Sequence, residues 1–95
     1  MLKLISLNME GRQHLDLVSA FIAQESPDCI CLQEMPASFI YTLVTLGFYP
    51  IFAPRSRETP VCKGETDGVC IATRTPANTS ITYYDGTRAG ILSYM

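Results

Sequence analysis

Hydrophobic positions change their spacing twice within the first 34 residues, and these changes predict a β-α-β unit. Residues 2–7 form a short, mostly apolar run, as expected of a strand. From Leu15 onwards, apolar side chains recur at helical intervals with polar residues between them, until Pro27 ends the pattern. Residues 29–32 are then apolar at every position, which is typical of a strand buried on both faces in a parallel sheet.

A polar side chain follows each strand of this unit: Asn8 after the first, and Glu34, preceded by Gln33, after the second. A right-handed crossover joins parallel strands, so Asn8 and Glu34 are expected at the same carboxyl edge, where open α/β sheets bind ligands. A carboxylate there suits Mg²⁺, which takes one or two carboxylates together with waters and phosphate oxygens. Taken alone, the pattern is weak evidence, because a glutamate that ends a strand more often only begins a solvated loop.

The rest of the chain predicts a second helix and further strands. Pro36 and Gly47 flank a helical pattern over residues 37–46. Strands are expected at residues 48–53, 69–73 and 81–84, with a turn at residues 85–86 and a renewed apolar pattern at residues 91–95. Residues 54–67 form a polar loop between two of the strands.

Composition narrows the class of protein. A length of ninety-five residues allows one domain or part of one. The chain is 47% hydrophobic and 17% charged, and this composition is too apolar for a disordered tail. Seven basic against nine acidic residues give a net charge of −2, which excludes a global basic field for nucleic-acid binding but not a local patch. Neither a signal peptide nor an apolar run of about 20 residues is recognisable, so we expect a cytoplasmic protein without a membrane partner.

The cysteines and the histidine give little indication of a metal-binding, redox or catalytic role. The four cysteines do not have the paired CxxC spacing of a zinc site, and we expect reduced, buried thiols at Cys29, Cys31, Cys62 and Cys70. A cysteine-based metal or redox protein is the alternative. His14 is the chain's one histidine and is expected on the surface or at the start of the first helix. The sequence has no phosphate-loop, dinucleotide, HExxH or GxSxG motif.

Three segments, LKLISLNMEG, SPDCICLQEM and DGVCIATR, resemble the endonuclease/exonuclease/phosphatase superfamily in their order and spacing. The PD-apolar-LQE segment is the most specific match, and the resemblance spans residues 2–84. It implies an α/β fold: the N-terminal part of a DNase I-like four-layer α/β sandwich, with residues 1–95 as a single partial domain.

The resemblance also implies an activity. Glu34 matches the family's metal-binding glutamate, and Asn8 matches the asparagine that helps to hold metal and phosphate. The implied function is Mg²⁺- or Mn²⁺-dependent hydrolysis of a phosphoester, of phosphodiesterase or nuclease type, with nucleic acid as one possible substrate. Gln33 is interpreted as a supporting residue, and residues 68–74 as a scaffold strand.

The sequence also departs from the family pattern. The downstream Asp-x-Asn segment and Asp-His pair are absent, so we expect the 95-residue chain alone to be inactive. The alternative is a non-catalytic truncated α/β module that self-associates through an exposed sheet or has no partner. In the polar loop, Arg55, Arg57 and Lys63 are candidates for contacts to substrate phosphates, with a solvated surface loop as the simpler interpretation.

Overall fold

The β-α-β unit is present, followed by a second helix and four more strands. The computed structural model describes residues 2–54, 67–76, 79–84 and 89–94. In chain order the elements are β1 (Leu4–Asn8), α1 (Leu15–Glu25), β2 (Cys29–Pro36), α2 (Phe39–Thr45), β3 (Tyr49–Pro54), β4 (Asp67–Thr73), β5 (Thr79–Tyr84) and β6 (Ala89–Tyr94). The predicted turn at residues 85–86 lies outside the described residues.

The main sheet has four strands in the order β1-β2-β4-β3, and it is mixed. β1 runs parallel to β2, whereas β4 runs antiparallel to both β2 and β3. β5 and β6 form a separate antiparallel pair. The parallel β1–β2 pair is the one that the crossover predicted, and it places the carboxyl ends of both strands at the same edge of the sheet.

One apolar core joins the helices to the sheet. α1 contributes Val18 and Ile22, and β2 contributes Ile30 and Leu32. α2 contributes residues to the same core, including Leu43. Burying a side chain of this size stabilises the fold by about 1.5–3 kcal/mol. Because a seven-residue helix such as α2 is marginal by itself, its packing on this core is what holds it in place.

The two faces of β2 differ in burial, contrary to the expectation of a strand buried on both sides. Ile30 and Leu32 are buried, whereas Cys29 and Cys31 on the opposite face are only half-buried. Across β1, the side chain of Leu4 is 64% exposed. The face opposite the helices is therefore open at the β1–β2 side of the sheet.

Three of the four cysteines lie in the described residues, and all three are free thiols. Cys70 is buried, and burial raises its pKa to about 12. Desolvation and the neighbouring Cys31 raise the pKa of the Cys29 thiol as well. Both groups are therefore neutral thiols at pH 7. Cys62 lies outside the described residues.

Neither helix in the described ranges is long and apolar enough to cross a membrane. The cytoplasmic location stays a prediction.

Arg74, just after β4, ties together the end of the sheet opposite the carboxyl edge of β1 and β2. Its guanidinium donates from Nε to the carbonyl oxygen of Pro27 at 3.2 Å and from an Nη to that of Leu46 at 2.7 Å. It also lies 3.9 Å from the ring centroid of Phe48. One planar side chain thus joins the start of β2, the end of α2 and the start of β3.

We expect Arg74→Ala to lower the free energy of unfolding by about 2 kcal/mol, because the carbonyl groups it satisfies lose a charged donor. Arg74→Lys should recover only part of this loss, since an ammonium group lacks the planar fork. Urea denaturation followed by circular dichroism measures both variants. Lys3→Ala is the control: Lys3 pairs with Glu25 at the surface, and this change should cost less than about 1 kcal/mol. Equal stabilities of the Arg74 variants and the control would contradict this role.

Candidate functional site

The tips of β1 and β2 are joined by backbone hydrogen bonds that extend past the last paired residues, Asn8 and Gln33. The Met9 N–H donates to the carbonyl oxygen of Gln33 at 2.9 Å, and the Gly11 N–H donates to that of Glu34 at 2.9 Å. The loop between β1 and α1 is therefore fastened onto the end of β2. Asn8 and Glu34, which the sequence predicted to lie together, do so at this edge.

Glu34 occupies a β-bulge. The register between β2 and β4 shifts between Leu32 and Met35, so Gln33 and Glu34 fall outside the regular ladder. Glu34 has φ 51°, a left-handed conformation that is uncommon for residues other than glycine. Bulges of this kind change the direction of a side chain, and here the half-buried Glu34 lines a cleft at the sheet edge.

Asn8 is oriented by its own chain. Its Oδ1 accepts a hydrogen bond from the Glu10 N–H at 2.9 Å, which closes a local turn. Because a backbone N–H must meet the oxygen of the amide, this contact also fixes which end of the Asn8 side chain is Nδ2. The Nδ2 group remains to donate hydrogen bonds to a ligand.

The cleft has a volume of about 780 Å³ and receives residues from three segments. The β1 tip and the following loop supply most of them, the β2 bulge supplies Glu34, and β4 supplies Asp67. The lining residues are Asn8, Glu10, Gly11, Arg12, Gln13, Glu34 and Asp67. The cleft is thus polar and rich in carboxylates at the edge where the sequence predicted a metal site.

Three charged residues of the cleft, Glu10, Arg12 and Asp67, were not predicted from the sequence. Glu10 and Arg12 directly follow the β1 tip, and that position was a signal that could have identified them. Asp67 is 2% exposed and pairs with Pro36 in the β2–β4 ladder. Its place in the cleft depends on the long-range pairing of β4 with β2, which local sequence patterns do not specify.

Gly68 allows β3 and β4 to approach closely next to Asp67. A Cβ atom at this position would overlap the carbonyl oxygen of Ala53 on β3. Asp67, which lines the cleft, is therefore followed directly by a position at which only glycine fits.

The donor set fits a divalent cation held by few protein ligands. Within the described ranges, no group of three or more His, Cys, Asp or Glu side chains is close enough to enclose a metal ion. Mg²⁺ does not need such a cage, because waters and substrate oxygens complete its octahedral coordination. Glu34 at the cleft wall, with the buried carboxylate of Asp67 in the same cleft, matches this open kind of site.

The other predicted residues lie elsewhere. Arg55, Arg57 and Lys63 fall outside the described residues. His14 caps the N-terminus of α1 without a side-chain hydrogen bond to the helix, and its Nε2 lies 3.8 Å from a carboxylate oxygen of Glu10. The predicted position of His14, at the start of the first helix, is confirmed.

The family model for the Endonuclease/Exonuclease/phosphatase family matches residues 5–92. The chain therefore belongs to this family. A search of curated proteins found no significant match.

Two solved structures share the fold. One is an endonuclease/exonuclease/phosphatase family protein from Leptotrichia buccalis C-1013-b, with a TM-score of 0.68 and 17% identity over 93% of this chain and 44% of that chain. The other is a mannosyl-6-phosphatase from Bacteroides thetaiotaomicron VPI-5482, with a TM-score of 0.61 and 17% identity over 98% of this chain and 44% of that chain. The chain thus spans less than half the length of these neighbours. The predicted DNase I-like α/β fold is confirmed, and the assignment of residues 1–95 to the N-terminal part of the family's domain stays a prediction.

Because Glu34 has a positive φ, we expect Glu34→Gly to be more stable than Glu34→Ala by about 1 kcal/mol. Both variants lose the carboxylate, so the difference between their free energies of unfolding reports only the backbone conformation. Denaturation in urea measures it. Equal stabilities would show that residue 34 does not adopt the left-handed conformation in solution.

Proposed function

We propose that this chain carries part of the active site of a divalent-metal-dependent phosphoester hydrolase. Glu34 is the metal-binding carboxylate, Asn8 orients the substrate phosphate, and Mg²⁺ or Mn²⁺ is the cofactor. The observation that supports this most is that the β2 bulge places Glu34 in the same cleft as Asn8, in a chain that belongs to a family of nucleases and phosphatases.

The two residues have different tasks in this proposal. Glu34 binds the cation through its carboxylate, and the bulge holds that carboxylate at the sheet edge. Asn8 donates from Nδ2 to a phosphoryl oxygen while its Oδ1 is engaged by the Glu10 N–H. This contact favours a phosphate role for Asn8 over direct metal ligation. A bound Mg²⁺ would supply Lewis-acid polarisation of the phosphoryl group.

The substrate class is proposed only as a phosphoester. The neighbour named as a mannosyl-6-phosphatase supports phosphoester chemistry on this fold. More specifically, we propose phosphodiesterase or nuclease action. The net charge of −2 gives no support to long nucleic acid as the substrate. That the 95-residue chain alone has no turnover also stays a prediction.

An exposed sheet favours the second candidate function, a non-catalytic module that associates with itself. Leu2 and Leu4 are 84% and 64% exposed at the β1 side of the sheet, and Cys29 and Cys31 on β2 are half-buried. Apolar surface of this kind promotes association. Analytical ultracentrifugation distinguishes the two candidates when it is combined with metal binding: a dimer that binds no metal would support the module.

We expect Glu34→Gln to weaken Mn²⁺ binding by at least about tenfold, because the amide keeps the shape of the side chain but loses its charge. Isothermal titration calorimetry of the 95-residue chain measures this. Glu25→Gln, the same substitution at a surface residue paired with Lys3, is the matched control and should bind Mn²⁺ like the unchanged chain. Equal affinities of the Glu34→Gln variant and the control would contradict the proposed function.

A further inference from the structure

Cys29 and Cys31 place two thiols next to each other on one face of β2. Side chains two residues apart in a strand point to the same side of the sheet. Both cysteines are half-buried free thiols, whereas Ile30 between them points into the core and is fully buried. The Cys31 side chain is in hydrogen-bond contact with the Cys29 thiol. The open face of the sheet therefore carries a pair of adjacent thiols that solvent reaches.

The pairing of β2 on both sides fixes the spacing of this pair. Each of the two cysteines is paired with a residue of β1 on one side and with a residue of β4 on the other. Their Cα atoms are therefore about 6.6 Å apart, twice the rise of a strand per residue, with the two side chains parallel to each other. A disulfide needs Cβ atoms only about 3.8 Å apart, so closing one would pull β2 out of both ladders. An ion that bonds both sulfurs needs no such approach, because the two metal–sulfur bonds span the gap.

The number of available ligands favours one kind of ion. In residues 2–54, 67–76, 79–84 and 89–94, no cluster of three or more His, Cys, Asp or Glu side chains is placed to hold a metal. Structural zinc sites use four such ligands. Monovalent copper is a soft cation that selects thiolates, and two of them satisfy it in a linear arrangement. A pair of cysteines therefore fits monovalent copper better than zinc.

The surroundings of the pair also favour a soft cation. The residues paired with the two cysteines are all uncharged: Leu4 and Ser6 on β1, and Thr73 and Ile71 on β4. These four side chains bring no carboxylate oxygen to the pair, which a hard cation such as Mg²⁺ would require. Leu4 is 64% exposed, so the pair is accessible from the β1 side of the face. Neither cysteine lines the cleft that contains Glu34, and a site here is separate from the proposed metal site.

We propose that Cys29 and Cys31 bind one monovalent copper ion between their sulfur atoms on the open face of the sheet. Each thiol gives up its proton to solvent as its sulfur bonds the ion, so binding releases two protons and transfers no electron. This site goes beyond the proposed hydrolase function and does not depend on it.

Anaerobic titration of the 95-residue chain with Cu⁺, in competition with a chromophoric Cu⁺ chelator, tests the inference. We expect one tightly bound ion per chain. Cys29→Ser and Cys31→Ser should each weaken binding by at least about a hundredfold, because a lost ligand costs more than a lost outer hydrogen-bond partner. Cys62→Ser and Cys70→Ala remove the other two thiols and are the matched controls, which should bind Cu⁺ like the unchanged chain. Zn²⁺ should bind far more weakly, and equal affinities for the two metals would contradict a two-coordinate site.

Several results would overturn the inference: an unchanged chain that binds no Cu⁺, equal affinity after Cys29→Ser or Cys31→Ser, or binding that depends on Cys62 or Cys70. X-ray absorption by the copper-loaded, unchanged chain is a second test that needs no variant. It should show two sulfur ligands, whereas nitrogen or oxygen ligands, or three or more sulfurs, would contradict the site. Because neither cysteine lines the cleft, Mn²⁺ binding through Glu34 tests the proposed function separately.

Discussion

Two backbone hydrogen bonds hold the candidate site together, and the rest of the site depends on them. They run from the N–H groups of Met9 and Gly11 to the carbonyl oxygens of Gln33 and Glu34. By extending the parallel β1–β2 pairing past the strand ends, they fasten the β1–α1 loop to the β2 bulge. Asn8, Arg12 and Glu34, which come from separate parts of the sequence, thereby line one cleft.

Two further sets of contacts hold β2 in place, and with it the attachment of the β1–α1 loop to the β2 bulge. Ile30 and Leu32 pack into the core under the helices. This packing fixes which face of β2 points to the core, and therefore the direction in which the bulge opens. At the other end of β2, Arg74 binds the carbonyl oxygen of Pro27 and holds the strand at its start. The strained left-handed backbone of Glu34 is thus supported by a strand that is fixed at both ends.

Local patterns in the sequence predicted the elements and part of the site. Helical spacing located α1, and the crossover rule placed Asn8 and Glu34 at one edge. Two features could not be predicted in this way. The bulge requires a positive φ at Glu34, a conformation that glutamate rarely adopts. Asp67 reaches the cleft only because β4 pairs antiparallel with β2, and that pairing depends on contacts distant in sequence.

In the proposed function, Glu34 is the residue at which a divalent cation binds. A crystal of the chain soaked in Mn²⁺ and measured at an X-ray energy with anomalous signal from manganese tests this most directly. The expected result is an anomalous peak in the cleft, within coordination distance of a carboxylate oxygen of Glu34. A cleft without a peak at saturating Mn²⁺, or a peak bound only by other side chains, would contradict it.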